Sequence, residues 1–77
     1  MPPQSPRADQ QLAAALRRLR VESGLSQEAL AYQAQLTSGS LARIELGQSS
    51  PEWSTVRRIA AALGVSMVDL AARVERE

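Results

Sequence analysis

The side chains in this sequence that could do chemistry are arginines, carboxylates and short hydroxyl residues. Histidine and cysteine are both absent, which excludes a Ser-His-Asp triad, a cysteine nucleophile and a zinc site with histidine or cysteine ligands. The Asp and Glu residues are dispersed along the chain, and no spacing brings a pair into an evident pocket. We therefore expect no catalytic residue, no metal, no cofactor and no small-molecule ligand, and an enzyme is the least favoured class.

The arginines are suited to another kind of chemistry, the binding of an anion. The chain has nine basic residues, all arginine, and a net charge of only +1. Four of them, Arg7, Arg17, Arg18 and Arg20, lie in the first twenty residues, where Asp9 is the one acid. Strongly binding nucleic-acid domains are often far more basic than this. Two interpretations stay open: a solvated helix face, or attraction of DNA from a distance by Arg17 and Arg18.

The stretch from Ser26 to Gly47 predicts two short helices joined by a tight turn. Ser26 and Thr37 are both good N-cap residues and stand eleven positions apart. That spacing leaves room for about two turns of helix and a turn of three or four residues. Such helices must cross steeply over a small residue, and Ala31 is placed for that contact. This pattern is typical of a helix-turn-helix.

The second of these helices has one apolar side and one polar side. Leu41 and Ile44 recur at helical spacing and predict its buried stripe. The outward face then carries mostly small or polar residues: Ser38, Gly39, Ala42 and Arg43. Helix-turn-helix proteins project the N-terminal residues of this helix outward.

The whole chain predicts an all-α fold of five helices without a strand. Helix 1 is expected from an Asp9 cap to about Ser23. The other four are expected at about Gln27 to Ala34, Ser38 to Glu45, Glu52 or Trp53 to Leu63, and from a Ser66 cap into the charged tail.

Residues 1–8 predict a disordered arm, and residues 9–77 a single domain. The arm holds three of the four prolines. A phosphate or minor-groove contact through Arg7 is the alternative to an arm without function. No apolar run approaches the roughly 20 residues of a membrane span, and the N-terminus lacks the apolar core of a signal peptide. Together with the missing cysteines, this favours a cytoplasmic protein without membrane contact.

Several motifs in a fixed order carry a family resemblance. They are LRRLR before GLSQEALA, then RIELG, then Pro51, then RRIAAALGVSMVDL. With these the sequence resembles the Cro/repressor-like (lambda-repressor-like, Xre-type) helix-turn-helix family from about Gln11 to Leu70. The resemblance implies a compact five-helix domain that binds double-stranded DNA sequence-specifically, usually as a homodimer on a two-fold symmetric operator.

The resemblance also implies roles for particular residues. Gln27 would contact a DNA phosphate, Arg43 would contact a phosphate or a base, and Arg20 would form an ion pair with Glu45. The residues that would reach base edges are Thr37, Ser38, Gly39 and Ser40. Each DNA contact has a rival interpretation, since Gln27 is also a good helix former and Arg43 suits a solvated face.

The sequence departs from the family pattern at two places. Gln35 occupies a turn position that is usually glycine, and a left-handed backbone there would cost roughly 1 kcal/mol. The start of helix 3 lacks long side chains, so few bidentate base contacts are available. Either the backbone approaches the groove closely and Arg43 reads it, or recognition depends on DNA shape and phosphates.

We expect a transcriptional regulator. A lone module of this size buries only about 600–1,000 Å² on DNA, which favours a homodimer. The expected dimer surface is apolar and consists of Trp53, Met67, Val68, Ala71 and Val74, although the same residues would also suit the core of a monomer. The alternatives are an antitoxin or protein-interaction module of a toxin–antitoxin pair, and a controller protein of a restriction–modification system.

Overall fold

The computed structural model describes residues 6–77, with side chains from Gln10 onward, and the regular elements found there are five α-helices. No strand occurs in this part of the chain. The helices are α1 (Pro6–Glu22), α2 (Gln27–Gln33), α3 (Ser38–Glu45), α4 (Trp53–Leu63) and α5 (Met67–Arg76). The predicted all-α fold of five helices is confirmed.

The predicted start of α1 is wrong by four residues, since a cap at Asp9 would make Gln10 the first helical residue. The helix begins at Pro6, so Asp9 lies within its first turn and does not cap it. Proline is favoured at the first helical position, because its fixed φ suits a helix and the N–H it lacks would have no partner there. Residues 6–8 of the predicted arm are thus helical, whereas residues 1–5 and the side chain of Arg7 lie outside the described part.

One core unites all five helices. Its largest fully buried side chains come from four different helices and are Leu16, Leu30, Leu41 and Ile59. Leu70 of α5 is also buried and completes the cluster. Since α3 packs against α1 and α2, and α2 packs in turn against α4, the position of α3 depends on helices far from it in sequence.

Two ion pairs fasten α5 to the second half of α1. Arg73 Nη2 lies 2.7 Å from Glu22 Oε2, and Arg18 Nε lies 3.0 Å from Glu77 Oε2. The hydrogen bond from Arg73 lowers the pKa of the Glu22 carboxyl below its ordinary value. One partner of each pair, Arg18 or Glu22, is exposed to solvent, so we expect both pairs to contribute little to stability and to weaken with salt. None of the described helices has the length and apolar character needed to cross a membrane.

Candidate nucleic-acid interface

Both helices of the helix-turn-helix begin at side-chain caps. Ser26 Oγ accepts a hydrogen bond from Ala29 N at 3.0 Å, and Thr37 Oγ1 accepts one from Ser40 N at 3.1 Å. Each cap satisfies a backbone N–H that has no partner within its helix. The caps therefore determine where α2 and α3 start, as the spacing of Ser26 and Thr37 predicts.

The N-terminal end of α3 presents a short chain of hydrogen-bonded polar groups at the surface. Thr37 Oγ1 donates to Ser40 Oγ at 2.9 Å, and Arg43 Nη2 donates to the same oxygen at 3.4 Å. Ser40 Oγ accepts both bonds, which leaves its own O–H available to an outside acceptor. Ser38 and Gly39 are exposed beside these residues. The polar groups expected to meet DNA thus lie together on one exposed end of the helix.

The Arg43 side chain lies next to Gly39, near the start of α3. A Cβ added at Gly39 would be 3.7 Å from Arg43 Nη1. The guanidinium therefore folds back toward the start of the helix, over a position that carries no side chain. The Arg43 side chain thus covers the start of α3, where the neighbouring residues are small.

Leu46 is an exposed apolar residue on the same face and was not among the expected site residues. Leu46 follows Gly39 and Arg43 at i, i+4, i+7 spacing and is 67% exposed. Its position directly before the glycine of RIELG gave no sign of exposure, because leucine there suits a buried helix end equally well.

The expected ion pair between Arg20 and Glu45 is present and largely shielded from solvent. Arg20 Nε donates to Glu45 Oε2 at 2.8 Å, and Arg20 Nη2 donates to Glu45 Oε1 at 3.1 Å. The guanidinium also donates from Nη1 to the Leu25 carbonyl at 2.9 Å. The Glu45 side chain is 1% exposed and that of Arg20 13%. This bidentate contact ties α1 to the C-terminal end of α3.

Gln27, at the start of α2, belongs to the same cluster. Its amide nitrogen donates to Glu45 Oε1 at 3.0 Å. The second N–H of that amide is not used by this bond and is available to an acceptor outside the protein. Residue patterns give no sign of the Gln27–Glu45 bond, because the two residues are 18 positions apart and meet only through the packing of α2 on α3. Gln27 is therefore held in a fixed orientation next to the end of α3.

The turn between α2 and α3 has a left-handed residue at Gln35, with a φ of 63°. The turn is closed by a hydrogen bond from Leu36 N to the Ala31 carbonyl at 2.8 Å. A further bond, from Arg58 Nε of α4 to the Ala34 carbonyl at 3.0 Å, reaches the turn from outside the motif. The expected left-handed conformation is thus adopted by a residue other than glycine.

Replacing Gln35 with glycine is expected to stabilise the protein. The change removes a steric cost of about 1–2 kcal/mol, which the greater freedom of glycine in the unfolded chain offsets by about 0.4–1 kcal/mol. Gln35→Gly should therefore raise the free energy of unfolding by about 0.5–1 kcal/mol in urea titrations followed by circular dichroism. Gln33→Gly, at the last residue of α2, is the control and should lower the free energy of unfolding, because Gln33 has a helical conformation that glycine disfavours. Equal destabilisation by both changes would contradict a strained turn.

The two arginines expected to attract DNA are placed differently. Arg17 is exposed and lines a shallow concavity with Glu45 and Leu46, at the C-terminal end of α3. Arg18 is exposed as well, but its guanidinium is bound to Glu77. Both arginines line this concavity, and of the two only Arg17 has no ion pair to a described residue.

The residues expected at a dimer surface border one apolar groove or lie beside it. The groove, between the start of α4 and one side of α5, has a volume of about 370 Å³, and its lining includes Trp53, Met67, Ala71 and Val74. Trp53 is 68% exposed and Val68, outside the groove lining, 78%. Met67 and Val74 are half-buried and pack against the core. Of the five residues expected at a dimer surface, Met67 and Val74 thus pack against the core of the monomer, whereas the other three are exposed: Trp53, Val68 and Ala71.

The fold and the arrangement of α2 and α3 define a helix-turn-helix domain. Residues 11–74 match the family model described as a helix-turn-helix domain, and the chain belongs to that family. No curated protein compared with the sequence gives a significant match.

Solved structures of two regulators are similar to the chain. The clp gene regulator ClgR from Corynebacterium glutamicum is 27% identical, with a TM-score of 0.85 over 97% of this chain and 78% of that one. The restriction–modification controller protein C.Esp1396I is 23% identical, with a TM-score of 0.85 over 90% of this chain and 91% of that one. The same controller protein has been crystallised as a tetramer with its natural 35-base-pair operator, and that structure is likewise 23% identical. At this identity the likeness to C.Esp1396I concerns the fold.

Proposed function

We propose that this protein is a transcriptional regulator that binds double-stranded DNA sequence-specifically, with α3 in the major groove. The observation that carries the proposal is the exposed, polar N-terminal end of α3, where Thr37, Ser40 and Arg43 are already joined by hydrogen bonds. Membership of the helix-turn-helix family and the likeness to the regulator ClgR support it. We place its action in the cytoplasm and assign it no catalytic role.

The proposed mechanism divides contacts between bases and backbone. Thr37, Ser38, Ser40 and Arg43 would contact base edges or adjacent phosphates, and the exposed backbone at Gly39 allows close approach. Gln27 lies beside Glu45, about seven residues along α3 from this end, which is roughly 10 Å. The major groove is about 12 Å wide. A base contact at one end of α3 is therefore compatible with a phosphate contact by the free N–H of Gln27.

The phosphate contact at Gln27 would be reinforced by the backbone of α2. The first N–H groups of a helix point outward without helical partners and carry partial positive charge. Arg17, exposed near the other end of α3, would add attraction at longer range. Because Glu45 fixes the Gln27 amide, this contact would lose little side-chain entropy on binding.

We also propose that the protein binds DNA as a homodimer through the groove beside α5. Trp53 and Val68 are exposed apolar side chains at or next to a groove that is itself apolar, and such a patch favours association. A two-fold axis would pair the same surface of both copies and match a palindromic operator, with half-sites about one helical turn apart.

The replacement of Trp53 with alanine is expected to weaken this dimer. Trp53 is the one tryptophan, and a tryptophan anchored at an interface typically contributes 2 kcal/mol or more, so the dimer Kd should rise about 30-fold in sedimentation measurements. Tyr32→Ala is the matched control, since Tyr32 is the other aromatic residue and is 84% exposed on α2. A wild-type protein that stays monomeric at every concentration would rule out the dimer.

Selection of bound sequences from random duplex DNA, at two salt concentrations, tests the proposed function. We expect enrichment of a two-fold symmetric motif, and an affinity that falls steeply with salt as counterions are released. Weak binding without an enriched motif would contradict the proposal and favour a protein-interaction module, such as an antitoxin.

A controller protein of a restriction–modification system is the second candidate and a subtype of the first. The likeness in fold to C.Esp1396I favours it. The genes that flank this one distinguish the possibilities: a restriction enzyme and a methyltransferase would identify a controller protein, and a small toxin an antitoxin.

A further inference from the structure

We propose that Arg58 of α4 is a positioning residue for the DNA-reading helix: it holds the end of α2 and thereby determines where α3 starts. The inference rests on the proposed function, since the positioning concerns the same helix-turn-helix. Arg58 lies outside that motif, and no DNA contact is assigned to it.

The bond of Arg58 supplies what the end of α2 lacks. Arg58 Nε donates to the carbonyl of Ala34, the C-cap of α2, at 3.0 Å in a partly buried position. The last carbonyls of a helix have no partner within it and carry partial negative charge. The last turn of α2 contains no basic residue of its own. A cation from α4 therefore provides both the hydrogen bond and the complementary charge.

The bond between Arg58 and Ala34 lies close to the start of α3, so a displacement of the Ala34 peptide would also move that helix. Gln35, the residue after Ala34, has a φ of 63°, and Thr37 already caps α3. A strained residue keeps its conformation only when its surroundings hold it. Only two residues lie between Ala34 and Thr37, so the orientation of the Ala34 peptide and the start of α3 are coupled through a very short segment.

Arg57 provides a natural comparison for Arg58. The two arginines are neighbours on α4 and line the same shallow concavity. Arg57 is exposed and has no hydrogen bond or ion pair to another residue in the described part of the chain, whereas Arg58 is half-buried and bound to Ala34. Removing either charge changes the net charge equally, so the two changes differ in the loss of the Ala34 bond and in the burial of the Arg58 side chain.

The experiment compares Arg58→Gln, Arg57→Gln and Arg58→Lys at a temperature where all three are folded. Affinity is measured for the selected operator duplex and for a random duplex in the same salt. We expect Arg58→Gln to lose about tenfold in operator affinity beyond the loss in Arg57→Gln, which is the range of a hydrogen bond to a charged group. Random-duplex affinity should be the same in both glutamine variants, and Arg58→Lys should recover part of the operator affinity.

Hydrogen exchange of the backbone amides is the second readout, and it does not depend on DNA. Arg58→Gln should accelerate exchange at Gln35, Leu36 and the first turn of α3, with the other helices unchanged. If exchange is accelerated evenly over all helices, Arg58 stabilises the whole fold and does not position α3 in particular. If Arg58→Gln and Arg57→Gln have the same operator affinity and the same exchange rates, the proposal is overturned. If the wild type selects no DNA sequence, the proposed function fails, while the exchange pattern still decides whether Arg58 positions α3.

Discussion

Glu45→Ala is expected to destabilise this protein more than any other substitution considered. The change leaves the Arg20 guanidinium largely buried with only the Leu25 carbonyl as partner, and it removes the acceptor of Gln27. Breaking a buried pair in this way typically costs about 3–5 kcal/mol. A domain of this length has roughly 4–12 kcal/mol of stability in total. Thermal unfolding followed by circular dichroism should show a midpoint lower by at least about 12 °C.

Two variants separate the contribution of burial from that of charge. Glu45→Gln keeps the shape and an acceptor oxygen, and we expect it to lose less stability than Glu45→Ala. Glu22→Gln removes the carboxylate of the exposed pair with Arg73 and should change the midpoint far less. If Glu45→Ala and Glu22→Gln shift the midpoint equally, the Arg20–Glu45 pair does not fix α3 to α1.

Arg43→Ala is expected to have the largest effect on DNA binding. Arg43 is the one long basic side chain on α3, and its guanidinium lies over the exposed start of that helix. A good arginine contact to a base contributes about 1–3 kcal/mol, so affinity for the selected operator should fall about tenfold. Fluorescence anisotropy with labelled duplex measures this loss.

The pattern of the loss distinguishes the two contacts that Arg43 would make. A base contact predicts relaxed selectivity at one position of each half-site, whereas a phosphate contact predicts uniform weakening and a salt slope reduced by about one. Arg57→Ala removes the same charge from α4 and serves as the control. Operator affinity that is equal in Arg43→Ala and Arg57→Ala would remove Arg43 from the interface.

The features that could be predicted from sequence are those fixed by neighbouring residues. Ser26 and Thr37 locate the starts of α2 and α3, because the oxygen of each cap bonds to an amide three residues further along the chain. The expected start of α1 is wrong because Asp9 is a good cap by residue type, whereas the helix already begins at Pro6, which favours the first helical position. The capping preference of a residue predicts the start of a helix only where one residue nearby is suited to that start.

The contacts that could not be predicted from residue patterns join distant segments. The bonds of Gln27 to Glu45 and of Arg58 to Ala34 span 18 and 24 positions. Neither follows from helical periodicity, since both depend on how two helices cross. The pair of Arg20 and Glu45 was expected only through family resemblance. The contacts that orient α3 are therefore harder to predict from sequence than the residues on its exposed face.

The fastening of α5 to α1 has a consequence for how the protein folds during synthesis. The bonds between these helices join residues 59 and 51 positions apart, so most of the chain must close into a loop before they form. Because α1 and α5 share one core with α3, we expect a nascent chain without α5 to lack a docked α3. The surface proposed to read DNA would then form only once α5 has left the ribosome.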